Sequence, residues 1–328
     1  MRVLITGGTG FIGKKLAAAL LRDGGLAIDG GEPKPVEHLT LFDAFPGEGV
    51  PQDERVELVT GDIADPATVE RVARDADAVW HLAAIVSANA EADFELGYRV
   101  NLDGTRVLLE VMRATGRRPR LVFASSCAVY GGDVPEVLTD ETHLTPQTSY
   151  GTQKAMGELL VADYSRKGFV DGRSLRLPTI VVRPGKPNKA ASTFASSIIR
   201  EPLAGQEAVC PVERDAAMYV LSPRRVVAAL FRAMQLPDEA FGMTRAIVLP
   251  GITATVAEMV DALRTVGGEA AVRRIRWEPD PTIQRIVRGW PARIDAERAR
   301  RMGFEADRSF EEIVRAHVED ELGGKVAA

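Results

Sequence analysis

Residues 3 to 13 constrain this chain more than any other stretch. Val3, Leu4 and Ile5 form a β-branched-rich apolar run suited to a strand buried on both faces. Gly7, Gly10 and Gly13 follow, enclosing Phe11 and Ile12, and Lys14 to Leu21 reads as a helix. Strand, glycine turn and helix in that order make a phosphate site. Backbone can approach a pyrophosphate where no Cβ intrudes, and the helix N-terminus aims N–H groups and its positive dipole end at the anion. The same glycines would also suit a tight turn needing positive φ; the order of elements favours a dinucleotide.

Strands and helices alternate from there on. Asp23-Gly24-Gly25 ends the first helix, and the Gly- and Pro-rich stretch to Pro35 reads as an exposed loop. A second strand, 36–42, ends at Asp43, placed to accept hydrogen bonds from an adenosine ribose. No Lys or Arg lies between Asp43 and Glu54 to meet a 2′-phosphate, which favours NAD over NADP. A third strand, 56–59, leads to Asp62 and Ile63, positioned for the adenine amino group and ring. Asp65-Pro66 starts a helix with a cap followed by proline. A fourth strand, 78–82, runs through Leu82 into Ala83 and Ala84, small residues beside which a cofactor can pass, while His81 reads as a packed strand-end residue. A fifth strand, 120–124, precedes Ser125 and Ser126. The pattern predicts an α/β fold, a doubly wound parallel (Rossmann) sheet with right-handed crossovers and a smaller C-terminal substrate domain. Residues 1–170 are expected to bind the dinucleotide and carry the catalytic residues. Residues 171–328 are expected to bind mainly substrate, with some segments returning to the sheet. There, strands 174–177 and 180–183 straddle Pro178, and helices are expected at 193–200, after Ser222 and at 308–322.

Composition narrows the partners. A net charge of −5 disfavours nucleic acid and anionic membrane surfaces. Two cysteines and scattered histidines offer neither a disulfide framework nor metal-ligand spacing. No apolar run reaches membrane-spanning length, and the first strand begins at the initiator, so a cytoplasmic protein is expected. Helix 102–115 carries Leu102, Val107, Leu108, Leu109, Val111 and Met112, too many for one buried stripe, which predicts a homodimer.

Tyr150 and Lys154 stand one helical turn apart and share a face. An ammonium beside a phenol is expected to lower the phenol's pKa and ready it for proton transfer near neutrality. The lysine can also hold ribose hydroxyls. Ser126, just past the fifth strand, is placed to hydrogen-bond a reacting oxygen.

Together these residues resemble the extended short-chain dehydrogenase/reductase family. The matching stretches are Thr6 to Gly13, Asp43, Gly61-Asp62-Ile63, His81 to Ala84, Asn101, Ser125 to Gly131 and Tyr150 with Lys154. The resemblance implies Tyr150 as general acid/base, Lys154 as ribose anchor and Ser126 as donor to the substrate oxygen. It implies Asn101 as a prop for the active-site backbone, Pro178 and Thr179 at the cofactor, and dimerisation through helices 102–115 and 150–166. The substrate half departs from the nucleotide-sugar branch, with Thr179 where those relatives carry Asn and no Tyr-Gly-Pro turn after the sixth strand. Leu177 to Ser192 and Ile199 to Leu203 are instead similar to the branch that oxidises the 2-hydroxyl of a four-carbon sugar acid, D-erythronate, with NAD.

A hydroxy acid needs a cation for its carboxylate, preferably a planar one. Arg183, Lys186, Lys189 and Arg214 are candidates, with Ser87, Asn188 and Thr179 for hydroxyls. Two other readings stay open: a nucleotide-sugar epimerase or dehydratase, in which Arg214 meets a diphosphate, and a non-catalytic NAD-sensing regulator.

Overall fold

A computed structural model describes residues 1–185 and 190–327 of the chain. Its first half alternates as the apolar runs dictate: β1 (Arg2–Thr6), α1 (Phe11–Asp23), β2 (His38–Asp43), β3 (Val56–Thr60), α2 (Pro66–Ala73), β4 (Ala78–His81), α3 (Gly104–Ala114), β5 (Arg120–Ser126), α4 (Ser149–Arg166) and β6 (Asp171–Leu177). The second half supplies β7 (Thr179–Ile180), α5 (Thr193–Leu203), β8 (Ala217–Leu221), β9 (Ala246–Val248), β10 (Ile252–Thr255), α6 (Val256–Val272) and α7 (Phe310–Glu321). Among the described residues the central sheet has seven strands in the order β9-β6-β5-β4-β1-β2-β3. Every neighbouring pair in it is parallel. This is the doubly wound order, reversing at β1 and β4, with one strand added at the β6 edge.

Buried apolar side chains from both faces hold the sheet between helices. Val3, Ile5, Leu16, Leu20 and Trp80 pack on one side, and Leu4, Val79, Leu108, Met112 and Phe123 on the other. A separate core, built on Val181, Ile198, Val220, Met259, Leu263 and Val314, joins α5, α6 and α7 to a small sheet in which β8 pairs with β7 and β10. Pro178, between β6 and β7, therefore carries the chain from one sheet to the other at the C-terminal edge of the strands. No helix among the described residues is long and apolar enough to cross a membrane.

Several element bounds differ from expectation for identifiable reasons. The second strand starts at His38, because the N–H groups of Glu37 and His38 both turn to the Met1 carbonyl. The loop after α1 contains a two-residue ladder, Gly25–Leu26 against Lys34–Pro35. The sixth strand starts at Asp171 rather than residue 174, since its polar opening finds buried partners: Asp171 accepts from Arg120, Arg173 and Arg245. Isolated, Asp-Gly-Arg looks like loop; two of the three guanidiniums, those of Arg120 and Arg245, come from distant sequence. The strand expected over 180–183 ends at Ile180, and Arg183 N–H instead donates to Ser196 Oγ at 3.0 Å.

Candidate active site

The glycine turn closes over the switch point of the sheet. Gly7 has φ of +69°, and a Cβ there would stand 2.7 Å from the Ala83 nitrogen, so the turn lies directly against the segment leaving β4. A Cβ on Gly13 would come within 2.4 Å of the Gly7 carbonyl. Helix α1, capped by Gly10, has no side-chain cap and no acidic residue in its first turn. Its leading N–H groups thus lack a side-chain acceptor, the condition a pyrophosphate satisfies. Asp43 closes the far side: one oxygen accepts from Thr9 N–H at 3.1 Å and the other from Ala44 N–H at 2.8 Å, each with a lone pair left for a ribose hydroxyl.

Asp62 is placed less simply than expected. It accepts from Ala64 N–H at 2.9 Å and also pairs with Arg99, so an adenine amino group would have to share it. Ile63 is buried against Gly104, at the start of α3. Asn101 is buried in a single π-helical turn, Tyr98–Asp103. Its oxygen accepts from Ile85 N–H at 2.8 Å, and its amide donates to Ile85 O at 2.9 Å and Gln153 Oε1 at 2.7 Å. It props the Ile85 backbone against α4.

A buried chain ties the same region together. The Thr105 hydroxyl donates to Asn101 O at 2.7 Å, so it accepts from His81 Nε2 at 2.9 Å. That fixes the tautomer, and His81 Nδ1 accepts from Thr6 Oγ1 at 2.7 Å. Burial, with the Lys154 charge adding to it, holds the imidazole neutral by lowering its pKa to about 3. His81 is a packed strand-end residue, as its position suggested.

The reactive groups lie where β5 ends and α4 begins. Thr148 caps α4 by accepting from Gly151 N–H at 3.1 Å, and Tyr150, Lys154 and Glu158 follow at four-residue steps on one face. Lys154 is 2% exposed; its ammonium donates to Ala124 O at 2.8 Å and stands 4.7 Å above the Phe123 ring. An ammonium has three donors. A buried one with a single oxygen acceptor suits the hydroxyls of a nicotinamide ribose.

One expectation is corrected. The Tyr150 phenol lies above its ordinary pKa, pushed to about 12 because burial outweighs the neighbouring Ser126 hydroxyl and the Arg183 charge. Lys154 does not lower it in this state: its ammonium is 5.7 Å from the ring centroid, and burial brings its own pKa down to about 7 against the pull of Glu158.

Ser126 accepts from Ala128 N–H at 3.1 Å and is half-buried beside Tyr150. Ser125, by contrast, is buried and donates to Glu158. Glu158 and Arg176 are the members that sequence reasoning missed. Arg176 donates to both Glu158 oxygens at 2.8 to 3.1 Å and to the Tyr130 hydroxyl at 2.6 Å, all buried. The spacing of Glu158 from Lys154 was the available signal.

The substrate candidates separate. Burial lowers the pKa of Arg183, and its charge favours the ionised form of the Tyr150 phenol. Ser87 lines a cleft of about 860 Å³ together with Thr148, Ser192 and Ser197. Thr179 pairs through its backbone with Val220 in the small sheet. Arg214 is exposed and stacks 4.2 Å over the Trp277 ring. Asn188, Lys186 and Lys189 lie outside the described residues.

A doubly wound sheet with a glycine crevice at its switch point, and a Ser/Tyr/Lys group at the same edge, defines a nucleotide-dependent enzyme of the extended short-chain dehydrogenase/reductase class. The chain belongs to the NAD dependent epimerase/dehydratase family, whose profile matches residues 3–243. It is 54% identical over 321 residues to a D-erythronate dehydrogenase of Cupriavidus necator, covering 98% of both chains. To a D-erythronate dehydrogenase of Haemophilus influenzae it is 45% identical over 98% of this chain and 100% of that one. Among solved structures it resembles a nucleoside-diphosphate-sugar epimerase from Agrobacterium tumefaciens, with a TM-score of 0.94 and 48% identity over 100% of this chain and 96% of the other.

Proposed function

We propose that this protein oxidises the 2-hydroxyl of D-erythronate to the ketone of 2-dehydro-D-erythronate, using NAD. The observation that carries the reading is the likeness to two D-erythronate dehydrogenases over nearly the whole chain, joined to a Ser126/Tyr150/Lys154 group at the edge of the glycine crevice. When bound, the dinucleotide supplies a hydride acceptor. The first turn of α1 would hold its pyrophosphate, Asp43 its adenosine ribose and Lys154 its second ribose, with Leu82, Ala83, Ala84, Pro178 and Thr179 as walls.

Tyr150, as phenolate, takes the hydroxyl proton of the substrate while Ser126 donates to the same oxygen as it becomes a carbonyl. The Ser126 hydroxyl and the charges of Arg183 and of an oxidised cofactor would favour the phenolate, against the burial that raises its pKa in the free protein. Asp43, with no Lys or Arg between it and Glu54 in sequence, selects NAD over NADP.

The protein acts as a homodimer through α3 and α4. Leu159 on α4 is 69% exposed, and Val107, Val111, Leu160 and Tyr164 are only partly covered. Sedimentation velocity giving a single species of one-chain mass would refute this.

The deciding experiment follows NADH absorbance across a panel of four-carbon sugar acids. Turnover fastest with D-erythronate is expected. The name of the Agrobacterium structure keeps an epimerase in view. A melting-temperature shift with UDP-sugars, and none with four-carbon acids, would replace the dehydrogenase reading with that one.

A further inference from the structure

We propose that Arg183 is the carboxylate anchor of the substrate and the residue that makes this enzyme prefer a hydroxy acid to a neutral polyol, an inference that rests on the sugar-acid reading above. In a 2-hydroxy acid the carboxylate and the reacting hydroxyl sit on adjacent carbons. Whatever cation holds the carboxylate must therefore stand beside the base. Arg183 meets this on geometry: it follows the crossing from β6 to β7, and its guanidinium donates to Ser192, which lines a cleft with Thr148, the cap of the helix that carries Tyr150. Arg214, exposed and stacked on Trp277, does not share that surrounding.

The guanidinium is also short of an anion. It is half-buried and donates to the Ser192 hydroxyl at 3.3 Å, with no carboxylate paired to it among the described residues. Its neighbour Arg200 is balanced by Glu201. Arg200 moreover donates to the Arg183 carbonyl at 2.6 Å, bringing a second positive charge close. Two guanidiniums against one carboxylate leave a local excess of one positive charge, which an anion removes. A planar fork with free N–H groups matches a carboxylate in two parallel hydrogen bonds. Ser192, its present partner, lines the same cleft as Thr148, the cap of the Tyr150 helix. Glu91, also on that cleft, is engaged by Ser149 N–H at 3.0 Å.

The backbone of Arg183 is fixed independently of its side chain, through Ser196 and Arg200. Arg183→Gln therefore leaves the fold in place, which an unchanged melting temperature would verify. For that variant the KM for D-erythronate is expected to rise about 10- to 100-fold, the worth of charge-assisted hydrogen bonds, while kcat changes by only a few-fold. Its preference for the acid over the uncharged amide of the same acid is expected to collapse, and Arg183→Lys to fall between the two. Calorimetry separates this proposal from the reading it rests on. If the wild type turned over no four-carbon acid but bound D-erythronate where Arg183→Gln did not, the anchor would stand and the assigned reaction would fall. Equal binding by both proteins, an intact acid-over-amide preference in Arg183→Gln, or a KM rise in Arg214→Gln instead, would overturn the anchor.

Discussion

Arg176 holds both carboxylate oxygens of Glu158 at 2.8 to 3.1 Å, locking the end of β6 to the helix that carries Tyr150 and Lys154. Both partners are buried, so neither charge has water to fall back on. Glu158→Gln leaves the guanidinium uncompensated and is expected to destabilise the fold by about 3–5 kcal/mol. Thermal denaturation checks this. The double variant Glu158→Leu/Arg176→Met should recover much of the loss, because the pair's own desolvation is then removed. No recovery would mean that the pair contributes net stability in this setting.

Tyr150 must lose its proton to accept one from an alcohol, and in the free protein its pKa stands near 12. The kcat/KM for oxidation reports the free enzyme. It is therefore expected to climb with pH through the neutral and alkaline range as the phenolate fraction grows, while the reverse reduction, which uses the protonated phenol, stays nearly level until the pH approaches that pKa. Tyr150→Phe should lower kcat by about 10²–10⁴-fold with an unchanged melting temperature. A flat pH profile with a weak effect of the variant would remove Tyr150 from the proton path.

Lys154 has the opposite sign to most stabilising lysines. Its folded pKa, about 7, lies below the value of an unfolded lysine. Between those two values the unfolded chain binds more protons, so the stability of the ligand-free protein is expected to rise with pH from about 7 toward 10. Denaturant titrations of wild type and Lys154→Met across that range test it, since the variant should flatten the rise.

His317, on α7, is buried with neither ring nitrogen hydrogen-bonded among the described residues. Burial lowers its pKa to about 4, so its contribution to stability is lost as pH falls from about 6.5 to 4. His81, held neutral in the same way, adds to that loss. His317→Leu removes two unsatisfied polar atoms and is expected to stabilise the protein by about 1–3 kcal/mol. Melting temperatures at pH 7 and pH 5 should show the gain, with a larger difference at the lower pH.

Much of the fold was legible because β1, β4 and β5 are short apolar runs ending in glycine, alanine or serine, the pattern of strands buried on both faces. The Tyr150/Lys154 spacing was equally plain, since one helical turn sets it. Asp171 to Arg173 was not readable as strand, because its partners Arg120 and Arg245 lie far away in sequence. Nor does sequence separate Arg183 from Arg214. Both follow strands, and only the crossing from β6 to the small sheet brings Arg183 to Ser192 and the cleft that Thr148 shares. The direction of the Tyr150 shift was misread for a related reason: spacing brings the ammonium near, whereas enclosure by the surrounding fold sets the sign.

The hydrogen-bonded line Thr6–His81–Thr105–Asn101–Gln153 runs from the floor of the crevice to the helix of the phenol. Each link has its donor and acceptor assigned, so the line has a fixed polarity and no slack. Distance between the two halves of the reaction centre is thereby written into buried side chains. A lineage exchanging one sugar for another could rewrite the cleft beyond Ser192 freely while leaving this internal ruler untouched.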